Sequence, residues 1–221
     1  MSDHLTYAEA GTLHASDARL VLARADAPFA DVAEVLWIDD ERLELDRTAC
    51  HDWLVAKHPQ CPPDLVREHL RDYASYSSVL QAIDTPVSDL YVRELLRHRN
   101  RSFRRLATNR LPQTVVRVLQ SGIGVPTWQH LAEDCAPRHA AYVQAYMSHP
   151  AVPVRSSYVR AHPNRAEVAA RALADESRHV RTALVRHTQA AEHLAALADD
   201  PSPAVRHEAA DRLVRVLRRR A

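Results

Sequence analysis

The sequence predicts an all-α chain folded as a right-handed alpha-solenoid of short paired helices. Three observations carry that reading. First, the last third repeats itself: Val154-Arg155, Val180-Arg181 and Val205-Arg206 recur at steps of 26 and 25 residues. Second, the first two copies share their wording. An apolar helix pattern ends at a polar triplet (His162-Pro163-Asn164, then His187-Thr188-Gln189), and a second pattern ends in Leu173-Ala174-Asp175 or Leu197-Ala198-Asp199. Third, three glycines, 13 prolines and few β-branched runs favour helices punctuated by proline over sheet. A fixed period of this length marks units that cannot bury an apolar face alone and must stack.

Four segments follow in order. Residues 1–46 fit the period poorly and are read as capping helices, Leu13 to Ala23 and Phe29 to Ile38, with Asp31 as N-cap of the second. The run Trp37 to Asp46 concentrates five carboxylates and reads as a solvated acidic face. Residues 47–120 form a first block of degenerate repeats. There a helix through Trp53 and Leu54 stops at His58-Pro59, because proline pushes the residue before it out of the helical region. Pro62-Pro63 starts the next, Ser88 caps a helix carrying Leu90, Val92, Leu95 and Leu96, Ser102 caps another, and Pro112 opens one through Val115, Val116 and Leu119. Residues 121–153 hold a glycine-containing break, "SGIGVP", and an inserted helix from His139 to Met147. Residues 154–221 carry the regular repeats and a last helix that buries Val205, Ala209, Leu213, Val216 and Leu217, with Glu208–Arg212 and Asp211–Arg215 pairs outside.

The repeat length narrows the choice of family. Twenty-five residues, less two turns, leave two helices of roughly two to three turns each, too short for a tetratricopeptide or HEAT unit. Leu194 to Ala210, "LAALADDPSPAVRHEAA", and Ala49 to Leu70, "ACHDWLVAKHPQCPPDLVREHL", resemble the leucine-rich repeat variant family, itself HEAT-like. The resemblance implies a solenoid in which one helix of each pair is often 3-10, and it implies little about function. That family is associated with an N-terminal iron–sulfur module. This chain lacks the four clustered cysteines it needs, so no cofactor carries over.

Composition bounds the partners. Residues 1–89 carry 17 acids and 7 bases, and residues 90–221 carry 11 acids and 22 bases, so nets of −10 and +11 hide behind an overall +1. In an elongated solenoid these become an acidic and a basic end, with weak head-to-tail self-association expected at low salt. The N-terminus lacks a basic start and an apolar stretch, no run reaches a membrane span, and Cys50, Cys61 and Cys135 are an odd, scattered set. A reduced cytoplasmic protein with no membrane partner is the expectation.

Candidate chemistry is sparse. His58, His149, His162 and His187 recur at helix ends, where an imidazole can bond orphan carbonyls. Stacked units hold such rings about 10 Å apart, too far to share a metal. "HEAAD", His207 to Asp211, is half of a zinc-protease motif without a third ligand, and Cys50-His51 are merely adjacent. No catalytic residue, metal or cofactor is assigned, and the chain is read as non-enzymatic. Arg155, Arg181 and Arg206, with Asp134, Asp175 and Asp199 or Asp200, suggest a polar ladder between repeats. The tract "RHRNRSFRR" stands apart: Arg97, Arg99, Arg101, Phe103, Arg104 and Arg105 form a candidate site for an anionic partner, forks for carboxylate or phosphate beside a stacking ring. The expected function is a scaffold that binds another protein. The alternative is a nucleic-acid-binding HEAT-like protein resembling the alkylation-repair DNA glycosylases, for which Trp37 with Asp39 or Asp40, and Trp128 with Asp134, are the available pairs. The acidic first half would repel a phosphate backbone.

Overall fold

The computed structural model describes residues 55–56, 60–74, 76–84, 87–122 and 127–219. The expected helices at 13–23 and 29–38, the Asp31 cap, the acidic run 37–46, Cys50-His51, Trp53, Leu54 and His58 lie outside the described residues. Among the described residues all regular structure is helical, with no strand and no helix long and apolar enough to cross a membrane. Two compact units result: Met1–Val118 with Gly122–Val125, and Leu119–Ser121 with Pro126–Ala221.

In the first unit, Pro63 occupies the first turn of α1 (Pro63–Glu68), which runs on into a single π turn, His69–Tyr73. After α2 (Tyr76–Ile83), Ser88 caps α3 (Asp89–Arg97) as the sequence predicts, its Oγ accepting the Tyr91 N–H at 3.2 Å. The next cap differs from expectation. Asn100, not Ser102, caps α4 (Arg101–Arg110): the Asn100 backbone is still extended, and its side chain accepts the Ser102 N–H at 2.9 Å. Pro112 then opens α5 (Pro112–Ser121), and Gly122 follows at φ +66°, the left-handed conformation that suits glycine. Helix α1 packs on α3, α2 on α4, and α3 on α4. Val66, Tyr91, Val92, Leu95, Leu96, Leu106 and Ala107 fill the space between them.

The second unit alternates two sets of helices. Its elements are α6 (Trp128–Leu131), α7 (Ala140–Met147), α8 (Val152–Ala161), α9 (Ala166–Leu173), α10 (Arg178–His187), α11 (Ala191–Leu197) and α12 (Pro203–Arg218). Each even-numbered helix packs on the next even-numbered one (α6–α8–α10–α12), and α7, α9 and α11 do the same beside them. Both sets are α-helical, so the 3-10 helix implied by the family resemblance is absent among the described residues. The third residue of α8, α10 and α12 is a buried valine: Val154, Val180 and Val205. Burying such a side chain contributes about 1.5–3 kcal/mol. The last helix departs from its expected stripe. Val205, Ala209 and Val216 are buried, but Leu217 is 51% exposed.

Candidate functional site

Two classes of arginine divide the surface, and the first is structural. In Arg155, Nε and Nη2 grip the Asp175 carboxylate at 2.8 and 3.0 Å, while Nη1 donates to the carbonyls of His149 and Pro150 at 2.8 and 3.0 Å. Arg181 repeats this with Asp200 at 2.6 and 3.1 Å and with the carbonyls of Asp175 and Glu176 at 2.7 and 3.1 Å. Each guanidinium therefore ties the turn before its own helix to the turn that opens the next repeat. The forks are bidentate and nearly dry, with side chains 7% and 6% exposed in one pair and 10% and 2% in the other. Two rungs of the expected ladder are present, each closed by the aspartate after the arginine instead of the one before it. Asp200 is used over its exposed neighbour Asp199, and Arg206 forms no rung among the described residues.

The acceptors have a second duty. Asp175 Oδ1 accepts the Ser177 N–H, and Asp200 Oδ1 the Ser202 N–H, both at 2.8 Å. Each carboxylate thus closes the turn at the start of α10 or α12. His149 takes this place before α8, its Nδ1 accepting the Ala151 N–H at 3.1 Å. Imidazoles at this position therefore receive an N–H instead of bonding orphan carbonyls, as the sequence suggested. His162 does bond a carbonyl: its Nε2 lies 2.8 Å from Ala132 O, so that nitrogen carries the proton. On that same edge Asn164 Oδ1 accepts the Thr188 hydroxyl and the Gln189 N–H, at 3.1 and 3.0 Å.

The α3–α4 junction contains the same device in disguise. His98 Nδ1 accepts the Asn100 N–H at 3.1 Å, and Arg104 Nη1 donates to the carbonyls of His98 and Arg99 at 2.8 and 3.2 Å. His98–Arg104 has the six-residue spacing of His149–Arg155, Asp175–Arg181 and Asp200–Arg206. That spacing was readable in the sequence, hidden by the surrounding charge. Phe103 then corresponds to Val154, Val180 and Val205. It is 5% exposed, with its ring centroid 4.7 Å from that of His98. The tract is thus split. Phe103 belongs to the core and offers no stacking face, Arg104 is spent on the turn, and Arg97 pairs with buried Glu94 at 3.1 Å. Arg99, Arg101 and Arg105 are exposed and form the second class.

Other expected features sort the same way. Glu208 binds Arg186 at 2.7 Å, and Arg212 donates to Thr188 O at 3.1 Å, so both side chains of that expected pair reach back to the preceding repeat. Arg215 donates to the Asp211 carbonyl, not its carboxylate. His207 and Asp211 do share a face, 3.6 Å apart, but both are exposed, and no group of three metal-ligating side chains occurs among the described residues. Trp128 packs edge-on against Tyr146, centroids 4.9 Å apart, and Asp134 is buried. Burial raises the Cys61 thiol to about 11 and the Cys135 thiol to about 12, so both stay protonated at neutral pH. No family model, curated protein or solved structure matches the chain, and its functional reading rests on its own residues.

Proposed function

We propose that the chain is a non-enzymatic alpha-solenoid scaffold, of the leucine-rich repeat variant and HEAT-like kind, that holds an acidic protein partner. The carrying observation is the division among its arginines. Arg155 and Arg181 are buried in the turns they tie, whereas Arg99, Arg101 and Arg105 present exposed side chains within seven residues at one helix junction. The successive packing of α6, α8, α10 and α12 supports the solenoid reading. Guanidinium forks at a junction suit carboxylates or phosphates alike. The burial of Phe103 removes the aromatic platform that single-stranded nucleic acid would use, which favours a protein. Two cysteines held as thiols suit a reducing cytoplasm.

The test is fluorescence anisotropy with a labelled poly-glutamate peptide and a labelled DNA duplex, on the chain and on its Arg99→Ser/Arg101→Ser/Arg105→Ser variant. The scaffold reading expects the peptide to bind and the variant to associate more slowly, with dissociation less changed. Tight duplex binding, with a salt slope that falls by about 0.9 for each arginine removed, would replace it with the nucleic-acid reading.

A further inference from the structure

Helix α12 exposes the stripe that its predecessors bury. In α8 the stripe begins with Arg155 and Val159, in α10 with Arg181 and Val185, and all four are buried. In each pair the arginine meets the next repeat's aspartate, and the valine stands one helical turn further along the same side. The same positions in α12 are Arg206 and Ala210, and the stripe continues through Val214 and Leu217. All four are exposed, Val214 at 47% and Leu217 at 51%. No further helix pair covers them among the described residues.

Arg206 marks what is missing. Its Nη1 donates to the carbonyls of Asp200 and Pro201 at 2.7 and 3.1 Å, the tether seen at Arg155 and Arg181. The edge formed by Nε and Nη2, which grips Asp175 and Asp200 in the two earlier copies, meets no carboxylate among the described residues. The tether already holds the guanidinium plane, so that edge is pre-set for a carboxylate and loses little freedom on receiving one. The two filled copies therefore define the occupant's chemistry: a carboxylate for the fork, followed by apolar side chains for the stripe. Arg215, Arg218 and Arg219 are exposed on the same helix end and add a demand for net negative charge.

We infer that this face docks the acidic segment Trp37–Asp46 of a second copy of the chain. The segment places Asp39, Asp40, Glu41, Glu44 and Asp46 among Trp37, Ile38, Leu43 and Leu45. It lies in the part of the chain with net charge −10, and α12 lies in the part with +11. The opposite charges of the segment and of α12 draw the copies together head to tail, and the apolar residues supply the area that charge alone does not. This goes beyond the scaffold reading, which concerns a different junction and a different partner.

Sedimentation velocity on the full chain, at about 0.02 M and about 0.3 M salt, tests the inference. A concentration-dependent species larger than monomer is expected at low salt, receding at high salt. Val214→Ser/Leu217→Ser alters only exposed side chains, and Arg206→Lys keeps the charge but loses the fork. Val214→Ser/Leu217→Ser should weaken association at least about tenfold with an unchanged melting curve, and Arg206→Lys should weaken it to a similar degree. Asp39→Asn/Asp40→Asn/Glu41→Gln should do the same from the other surface. Because the contact joins unlike surfaces, mixing the Val214→Ser/Leu217→Ser chain with the amide variant restores one interface, giving a heterodimer that grows no further. A monomer at every concentration in both salts overturns the inference, as does wild-type association of the Val214→Ser/Leu217→Ser variant. Either result leaves the Arg99–Arg105 surface untouched.

Discussion

Arg181 and Arg206 occupy the same place in successive repeats, bond the same two carbonyls of the turn before their helix, and end in opposite environments. The first is buried with its fork closed on Asp200; the second is exposed. Local wording is almost identical: Asp175-Glu176-Ser177 precedes one and Asp200-Pro201-Ser202 the other. A motif of this kind therefore sets the turn and aims the guanidinium, while the following repeat decides whether the arginine becomes a buried tie or a surface fork. Stability and binding capacity come from one side chain in two settings.

The largest test of that comparison is to break the closed rung. Asp200→Ala leaves buried Arg181 without its counter-charge and removes the acceptor of the Ser202 N–H. A loss of about 3–5 kcal/mol is expected from denaturant unfolding. Arg206→Ala removes only two carbonyl contacts at an exposed site and should cost about 1–2 kcal/mol. Equal losses would mean that the carboxylate half of the rung contributes nothing. The double replacement Arg181→Met/Asp200→Leu sharpens the point, since apolar residues of similar volume recover much of the loss when no lone charge remains.

Acid should attack the same rung. Burial pushes the Asp200 carboxyl up, but the Arg181 fork, the Ser202 N–H and the charges of Arg181 and Arg206 outweigh it, and the group is held below the ordinary aspartate value. Its folded form thus favours the carboxylate. The stabilisation is complete above the unfolded aspartate value of about 3.9 and is lost as pH falls through the lower folded value. Unfolding followed from pH 6 downward should show this loss in the native chain and a shallower one in Asp200→Asn. The asparagine oxygen can still accept the Ser202 N–H, so the difference reports the ion pair alone.

Much of this rung was legible in the sequence, because Val-Arg pairs at steps of 26 and 25 residues announce both the packing residue and the tie. The choice of Asp200 over Asp199 was legible too, since only Asp200 stands two residues before a serine and six before an arginine, as Asp175 does. Other features were not. Leu217 fits an apolar helical stripe, and whether such a residue is covered depends on a layer beyond its own helix. Glu208 and Arg212 satisfy the i, i+4 rule, yet each finds a better partner one repeat back, which spacing within a helix cannot reveal. At the α3–α4 junction the two key positions carry His98 and Phe103 in place of aspartate and valine, and five arginines in nine residues disguised the turn as a charge run.

That junction carries its own contrast. Arg104→Ala removes the tether to the His98 and Arg99 carbonyls and should cost about 1–2 kcal/mol, as Arg206→Ala does. Replacing exposed Arg99, Arg101 and Arg105 together by serine should move the unfolding free energy by no more than about 0.5 kcal/mol per site. A collapse of the triple variant would place those arginines among the structural ties and withdraw them as a binding surface.

The smallest effect separates the two kinds of turn acceptor. His149 closes its turn with a neutral nitrogen where Asp175 and Asp200 use a carboxylate. Burial, with the nearby charge of Arg155, holds His149 below its ordinary value, and the Ala151 N–H it accepts is available only to the neutral ring. The neutral ring is therefore the folded-state form. Its contribution is full above the unfolded histidine value of about 6.5 and drains away as pH falls through that value toward the folded one. An aspartate there titrates far lower. His149→Asp should keep the Ala151 bond and lose the ring contact with Trp128, whose centroid lies 5.3 Å away. Stability at pH 7.5 should then fall by only about 1 kcal/mol. Between pH 7 and pH 5 the native chain should weaken more steeply than the variant, which keeps the other histidines held below their ordinary value, a narrowing gap visible in melting temperatures across that range. If the two curves stay parallel, the imidazole is not what makes this turn sensitive to acid, and the equivalence of histidine and aspartate at the start of each repeat fails at its first test.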